Sequence, residues 1–353
     1  MAGKRQHIFP RFLLKGFASR ISGEEVFTWV YRKEGKVFET NIINVSVEQY
    51  FYGKQGEVTI DAEITELESE FGILLDELRR KNDQTPVSNL KVAELVTHLC
   101  IRTKHLRDSF RESSEFLIER ISEYLFDTGN LKSIISNNPE LIRNEFDKVV
   151  RQYPFLEPFK DMVVNQGAST VAALLEQYKP GIQVFVQEFI EGSRDVLPRA
   201  VKEGHIKALA KGLVPEPRAE EYRLLEWFIC KSGTPLILGD MGCLFETSGA
   251  RRFKSINEKG DQLKNIFLPI SSDRLLIGTS LSSVPEIDTN QINEILARCS
   301  REYFVCPESS SSKLDLIPLI GKESEIISGA EVEQLVKELA EVIREYGKSN
   351  RDA

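Results

Sequence analysis

Acids and guanidiniums set against apolar surface are the first residues here that could do chemistry. Asp61 and Glu68 lie seven residues apart in DAEITELESEFGILLDEL. At 100° per residue both fall on one edge of the stripe formed by Ile64, Leu67, Phe71, Leu74, Leu75 and Leu78. A partly buried carboxylate is costly without a partner. The next stripe, Val92, Leu95, Val96, Leu99, Leu106 and Phe110, carries Arg102 and Arg107 on opposite edges and Thr103 within it. One reading is an interhelix ion pair at the core edge, which orients helices without chemistry. The other has an arginine clamp a phosphate while a carboxylate holds a metal or orients a histidine.

Two further residues leave the same choice open. Asp240 ends the apolar run in LILGD, either as a functional side chain at a strand end or as a turn residue with Gly239 and Gly242. His7 precedes FPRFLLKGF, which Phe9, Phe12, Leu13 and Phe17 would anchor to the core. Its near-neutral titration suits a base or ligand, and a structural hydrogen bond tying down the N-terminus suits it equally. His98 and His105 stand seven apart on one expected helix, about 10 Å along its axis, too far for one metal ion. They read as solvated or surface-packed.

The elements that must position these groups follow from periodicity. EVFTWVYR and KVFETNII, joined by KEGK with Gly35, predict a β-hairpin. VSVEQYFYG predicts a third strand or a short helical turn ending at Gly53. Helices are expected over 61–81 and 89–112, the second capped by Ser88 or Asn89, and helical patterns continue to about 209. AEEYRLLEWFICK reads as another helix. TPLILGD, NIFLPIS and RLLIGTS read as strands, NQINEILARCSREY as a helix, YFVCP as a strand, ESSSSK as a flexible stretch, and GAEVEQLVKELAEVIREYG as a closing helix.

These elements predict an α+β fold: the N-terminal hairpin and C-terminal strands in a mostly antiparallel sheet, with a large central helical region. One composite domain is expected over 1–353, with the arm and hairpin in 1–60, the helical region in 61–230, and C-terminal strands and helices in 231–353. The chain is 41% hydrophobic and 28% charged, which supports a real core, and its net charge of −8 offers no chain-wide attraction for nucleic acid. Five cysteines without a C-x-x-C pair argue against a disulfide framework or zinc knuckle and suggest a reducing cytoplasm. No secretory signal or membrane span is expected. The P-loop, H-E-x-x-H, G-x-S-x-G and G-x-G-x-x-G motifs are absent.

The order of segments resembles the bacterial family called domain of unknown function 4238. HIFPRFLLKGF matches its opening motif through His7, Pro10, Phe12, Leu14 and Phe17. The hairpin, VSVEQYFYG and DAEITELESE are similar to its next segments, with Glu68 on the second acidic position of the helix. IRTKHLRD is similar to its Arg-Thr-Pro-x-x-Arg, with Lys104 in place of Pro. PLILGDMGCLFE resembles its aspartate-bearing strand, with Met241-Gly242 replacing Asn-Pro, and the later strands and helix resemble its closing elements.

The resemblance implies that His7, Glu68, Arg102 and Asp240 fall on motif positions from four distant segments and approach one another. The expectation is a ligand-binding or regulatory protein with a composite polar site. The alternative is a phosphodiester- or nucleotide-directed hydrolase, a nuclease-like toxin or antiphage effector. In that alternative His7 is the acid or base, Glu68 and Asp240 orient it or bind Mg²⁺ or Mn²⁺, and Arg102 holds phosphate. A nucleotide or nucleic acid at a local site is the partner it would take, with no membrane association; the oligomeric state is open.

Overall fold

Alternating β-branched and aromatic residues build the strands, and three- and four-residue apolar steps build the helices. The computed structural model describes residues 5–52, 60–87, 89–137, 139–249, 251–258, 260–281 and 283–349. Gly53 and Ser88, and the side chain of Asn89, lie outside the described set. The fold is α+β with antiparallel strand pairing.

In chain order, β1 (Arg5–His7), α1 (Arg11–Leu14), β2 (Arg20–Ser22), β3 (Glu25–Arg32), β4 (Val37–Asn41) and β5 (Val47–Gln49) precede α2 (Asp61–Arg79). Then come β6 (Thr85–Val87), α3 (Asn89–Ile101), α4 (Lys104–Leu125), α5 (Thr128–Asn137), α6 (Pro139–Gln152), α7 (Lys160–Gln177) and α8 (Lys179–Lys211). The last third holds α9 (Glu216–Arg223), β7 (Glu226–Lys231), β8 (Leu238–Gly239), β9 (Leu244–Thr247), β10 (Phe253–Lys254), β11 (Leu263–Ser271) and β12 (Arg274–Thr279). It ends with α10 (Thr289–Cys299), β13 (Tyr303–Cys306), α11 (Ser311–Leu314) and α12 (Gly329–Ser349).

The chain divides into two units, Met1–Ser109 with Lys202–Ile326, and Phe110–Val201 with Ile327–Ala353. Among the described residues, the first contains every strand. The hairpin β3–β4 joins β13 and β8 in one sheet, of order β2-β3-β13-β8 with β4 beside β3. The strands over 263–279 belong to a separate six-stranded sheet, β10-β9-β11-β12-β7-β6, and β1 pairs β5 alone. Residues of both larger sheets enter one core, Val30, Tyr31 and Phe304 from one and Ile266, Leu268 and Leu276 from the other. The stripe of α2 buries Phe71, Leu75 and Leu78 in that core, as does that of α3 with Val92, Leu95, Val96 and Leu99. In the second unit α7 packs on α5 and α6, and α5 on α12.

Three sequence expectations need correction. The helix expected over 89–112 is two helices, broken at Arg102–Thr103. The apolar period runs through the break, but Thr103 Oγ1 accepts the backbone N–H of Leu106 (3.1 Å) and so caps a new helix. Lys104 takes the first helical position, where proline is favoured, and the break forms here without one. The helix expected over AEEYRLLEWFICK ends at Arg223, and EWFICK is β7, fixed by pairing with β12 and β6. ESSSSK contributes a helical turn, α11, with Lys313 buried.

The N-terminal arm is held by a close approach at Gly16. A Cβ there would lie 2.3 Å from the carbonyl oxygen of Ile270, and the Gly16 carbonyl accepts Ser272 N–H (2.9 Å). Arg79 ties the same parts together, donating to Ile270 O (2.8 Å) and Phe12 O (2.9 Å). Gly16→Ala is therefore expected to lower stability by about 1–3 kcal/mol through overpacking against backbone. Urea denaturation with an unchanged midpoint would contradict this packing.

Candidate functional site

Arg102 sits at the break between α3 and α4, where its side chain is buried. Its Nε donates to Tyr52 OH (2.9 Å), Nη2 to the backbone carbonyl of His7 (3.2 Å), and Nη1 to Glu68 and to His98 Nε2 (2.8 Å). Four of the five guanidinium hydrogens are thus committed within the protein. Burial pulls the arginine's pKa down, but Tyr52 and Glu68 more than offset it, so it stays above its ordinary value. Burial raises the Tyr52 hydroxyl, which remains a neutral hydrogen-bonding group.

Histidines complete this network. His98 is fully buried, its Nδ1 3.1 Å from Leu213 O. With Arg102 donating to Nε2, the ring must be neutral and carry its proton on Nδ1. Burial, then Arg102, pushes its pKa down to about 3. His205 repeats the pattern: Nε2 meets Ile101 O (2.7 Å) and Nδ1 accepts from Arg107 Nε (3.1 Å), and burial lowers its pKa to about 4. The Arg107 guanidinium also lies 3.5 Å over the Phe51 ring. His105 is buried too, against Ser324 O and Ser255. The expectation of solvated or surface-packed histidines at 98 and 105 is therefore corrected.

The structure brings three of the four singled-out residues together: Glu68, Arg102 and the backbone of His7. Asp240 serves a different set. Its carboxylate accepts the backbone N–H groups of Arg301 (2.7 Å), Glu302 (2.6 Å) and Tyr303 (3.3 Å), fixing the turn into β13. Burial raises its pKa to about 6, against the pull of those three amides. The turn after it needs Gly242, whose φ is +78° and whose absent Cβ would lie 2.9 Å from the Phe9 ring. Among the described residues, no group of three or more His, Cys, Asp or Glu side chains is placed to hold a metal ion.

Asp240 lines a cavity of about 280 Å³ with Lys104, Asp108, Arg301, Glu302 and Tyr303. Lys104 Nζ bridges Glu302 (2.6 Å) and Asp108 (3.1 Å). Ile8 of the arm, Ser46 just before β5 and Val47 of β5 line it as well. Ser46 has φ +52° and holds the arm, its carbonyl accepting Ile8 N–H (2.9 Å) and its hydroxyl Phe9 N–H (3.2 Å). Such backbone strain concentrates at functional sites.

A family model described as protein of unknown function (DUF4238) matches residues 5–310. The chain belongs to this family. No curated protein and no solved structure matches it. The DUF4238 match spans all the residues of the arginine network and of the cavity just described. Sequence reasoning missed Tyr52 and His98 in the network and Lys104 and Glu302 in the cavity. His98 precedes Arg102 by four residues on one helix face, a spacing that pairs side chains and could have revealed it.

Two outcomes follow. Arg102→Met should cost about 3–5 kcal/mol, the scale of breaking a buried ion pair. Arg102→Lys should recover little of it, since an ammonium cannot span four partners; full recovery in denaturant melts would contradict the network. His98 and His205 have folded-state values below 6.5, so the stability each contributes is full above pH 6.5 and is lost as pH falls toward about 3 and about 4. Asp240 acts oppositely and more weakly: its contribution is full below about 3.8 and lost as pH rises through about 6. Net stability should fall from pH 6.5 to 4, by about 1.4 kcal/mol per pH unit, because Asp240 offsets one of the two histidine protons. His98→Gln, which keeps a donor and an acceptor, should flatten the decline; an equally steep decline in this variant would count against the assignment.

Proposed function

We propose that the protein is a ligand-binding or regulatory protein whose site is the cavity beside Asp240, and that its ligand is a small molecule bearing both charges. The observation that carries this reading is the lining: the Lys104 ammonium, the carboxylates of Asp108 and Glu302, and buried Asp240 face one cavity of about 280 Å³. That volume lies at the small end of ligand pockets, near 300 Å³, which favours an amino-acid-sized guest. An ammonium on the ligand would lie against Asp240 and Glu302, and a carboxylate would recruit Lys104 or Arg301. A rise in pH through 6 ionises Asp240, so cation binding should strengthen over that interval.

The hydrolase alternative, a nuclease-like toxin or antiphage effector with Mg²⁺ or Mn²⁺, draws less support. It asks Arg102 to hold phosphate, while that guanidinium already donates to four groups of the protein. A cytoplasmic setting belongs to the same proposal, supported by five free, buried cysteines and by the lack, among the described residues, of a helix long and apolar enough to cross a membrane.

The test is calorimetry and thermal shift of the whole chain against free amino acids and nucleoside monophosphates, at pH 5 and 7. A zwitterion should bind, more tightly at pH 7, and Lys104→Gln should weaken it about tenfold, the scale of one charged hydrogen bond. Labelled RNA and DNA are incubated in parallel with Mg²⁺ or Mn²⁺. Turnover of either by wild-type protein, or zwitterion binding indifferent to Lys104→Gln, would overturn the reading.

A further inference from the structure

A second cavity, of about 510 Å³, lies over one face of the six-stranded sheet. Phe253, Phe267, Ile287, Ile292 and Ile295 give it apolar walls, and α10 with the segment before it closes one side. Exposed polar and charged residues, Arg252, Lys264, Glu286 and Asp288 among them, also line it, and between the apolar walls the sheet places one buried polar pair. Glu246 on β9 and Asn265 on β11 are cross-strand partners, 6% exposed each, at a register shift between Leu263 and Asn265.

The hydrogen bonding of this pair is asymmetric. Glu246 Oε1 takes Arg252 Nε (2.8 Å) and Nη2 (2.7 Å), and Oε2 takes Asn265 Nδ2 (2.6 Å). The carboxylate is an acceptor only, so it fixes which way the Asn265 amide points. Asn265 Oδ1 is then buried and has no hydrogen-bond partner among the described residues. Leucine would fill that position without an unmatched acceptor, and buried polar atoms are rarely left so. Apolar walls with a few fixed polar groups are the usual composition of a small-molecule site, and 510 Å³ lies within its size range. β-Bulges are enriched beside such sites.

We propose that this cavity binds an apolar, ring-sized molecule carrying one neutral N–H or O–H donor, which hydrogen-bonds to Asn265 Oδ1. The carboxylate of Glu246 is already neutralised by Arg252, so the site favours an uncharged donor over an ammonium. It is a separate site from the charged cavity beside Asp240, and its occupancy does not depend on the reading of that cavity.

The test uses indole, an apolar bicycle with one N–H donor, and 1-methylindole, which lacks the donor. Binding to the whole chain is measured by saturation-transfer NMR and calorimetry. Indole should bind with 1:1 stoichiometry, and 1-methylindole should bind about tenfold more weakly, the scale of one hydrogen bond. Asn265→Leu should remove that discrimination. Gln291→Trp, at an exposed position on the cavity lining, should abolish binding of both probes while the circular dichroism melt stays cooperative. Equal affinity for the two probes, indole binding undiminished by Gln291→Trp, or no indole binding up to its solubility would each overturn the proposal. Should Asn265→Leu fail to fold, the wild-type comparison of the two probes and the Gln291→Trp result still decide it.

Discussion

A buried guanidinium must be matched almost donor for donor, and that requirement organises the strand-bearing unit. Arg102 satisfies it by drawing on four separate segments: the arm through the carbonyl of His7, the strand-following pair Phe51–Tyr52 through the tyrosine hydroxyl, α2 through Glu68, and its own helix through His98. Removing any one partner leaves the others holding an incompletely matched charge, which is far more costly than the pair is worth when complete. The interaction therefore specifies an arrangement more than it adds stability.

That arrangement is what shapes the charged cavity. His7 is followed by Ile8, which lines it, and Arg102 is followed after one residue by Lys104, which lines it too. Thr103 between them restarts the helix, so Lys104, His105 and Asp108 present from the first turns of α4. On the other side Asp240 gathers three consecutive amides and fixes Arg301, Glu302 and Tyr303. Two buried charges, one on each side, thus hold the walls in register: Arg102 through the arm and α4, Asp240 through β8 and β13. Lys104, bridging Glu302 and Asp108, connects the two walls directly.

Much of this was legible in the sequence, and the failures have physical causes. The β3–β4 hairpin followed from β-branched residues and Gly35, which adopts φ +83°. The α2 stripe predicted its buried residues because the same helix face packs on two apolar clusters, Ile64 in one and Phe71, Leu75 and Leu78 in the other. Glu68 and Arg102 stood out because each is polar on an apolar edge. The break at Arg102–Thr103 was hidden, since Leu99 and Leu106 keep the apolar period across it. EWFICK was misread because strand pairing with β12, distant in sequence, overrode a local helical pattern. Asp240 was placed with the wrong partners because its hydrogen bonds go to backbone amides, which no residue type announces. His205 was invisible as an arginine acceptor, since only tertiary structure brings it to Arg107 and sets it against the Ile101 carbonyl that fixes its tautomer.

The central claim is that the Arg102 guanidinium is committed to the fold and not to a phosphate. Nitrogen-15-resolved NMR of the arginine side chains tests it most directly. At pH 7, Arg102 should give separate, slowly exchanging Nη1 and Nη2 signals, unmoved by added inorganic phosphate. A single averaged signal that shifts as phosphate is titrated would contradict it.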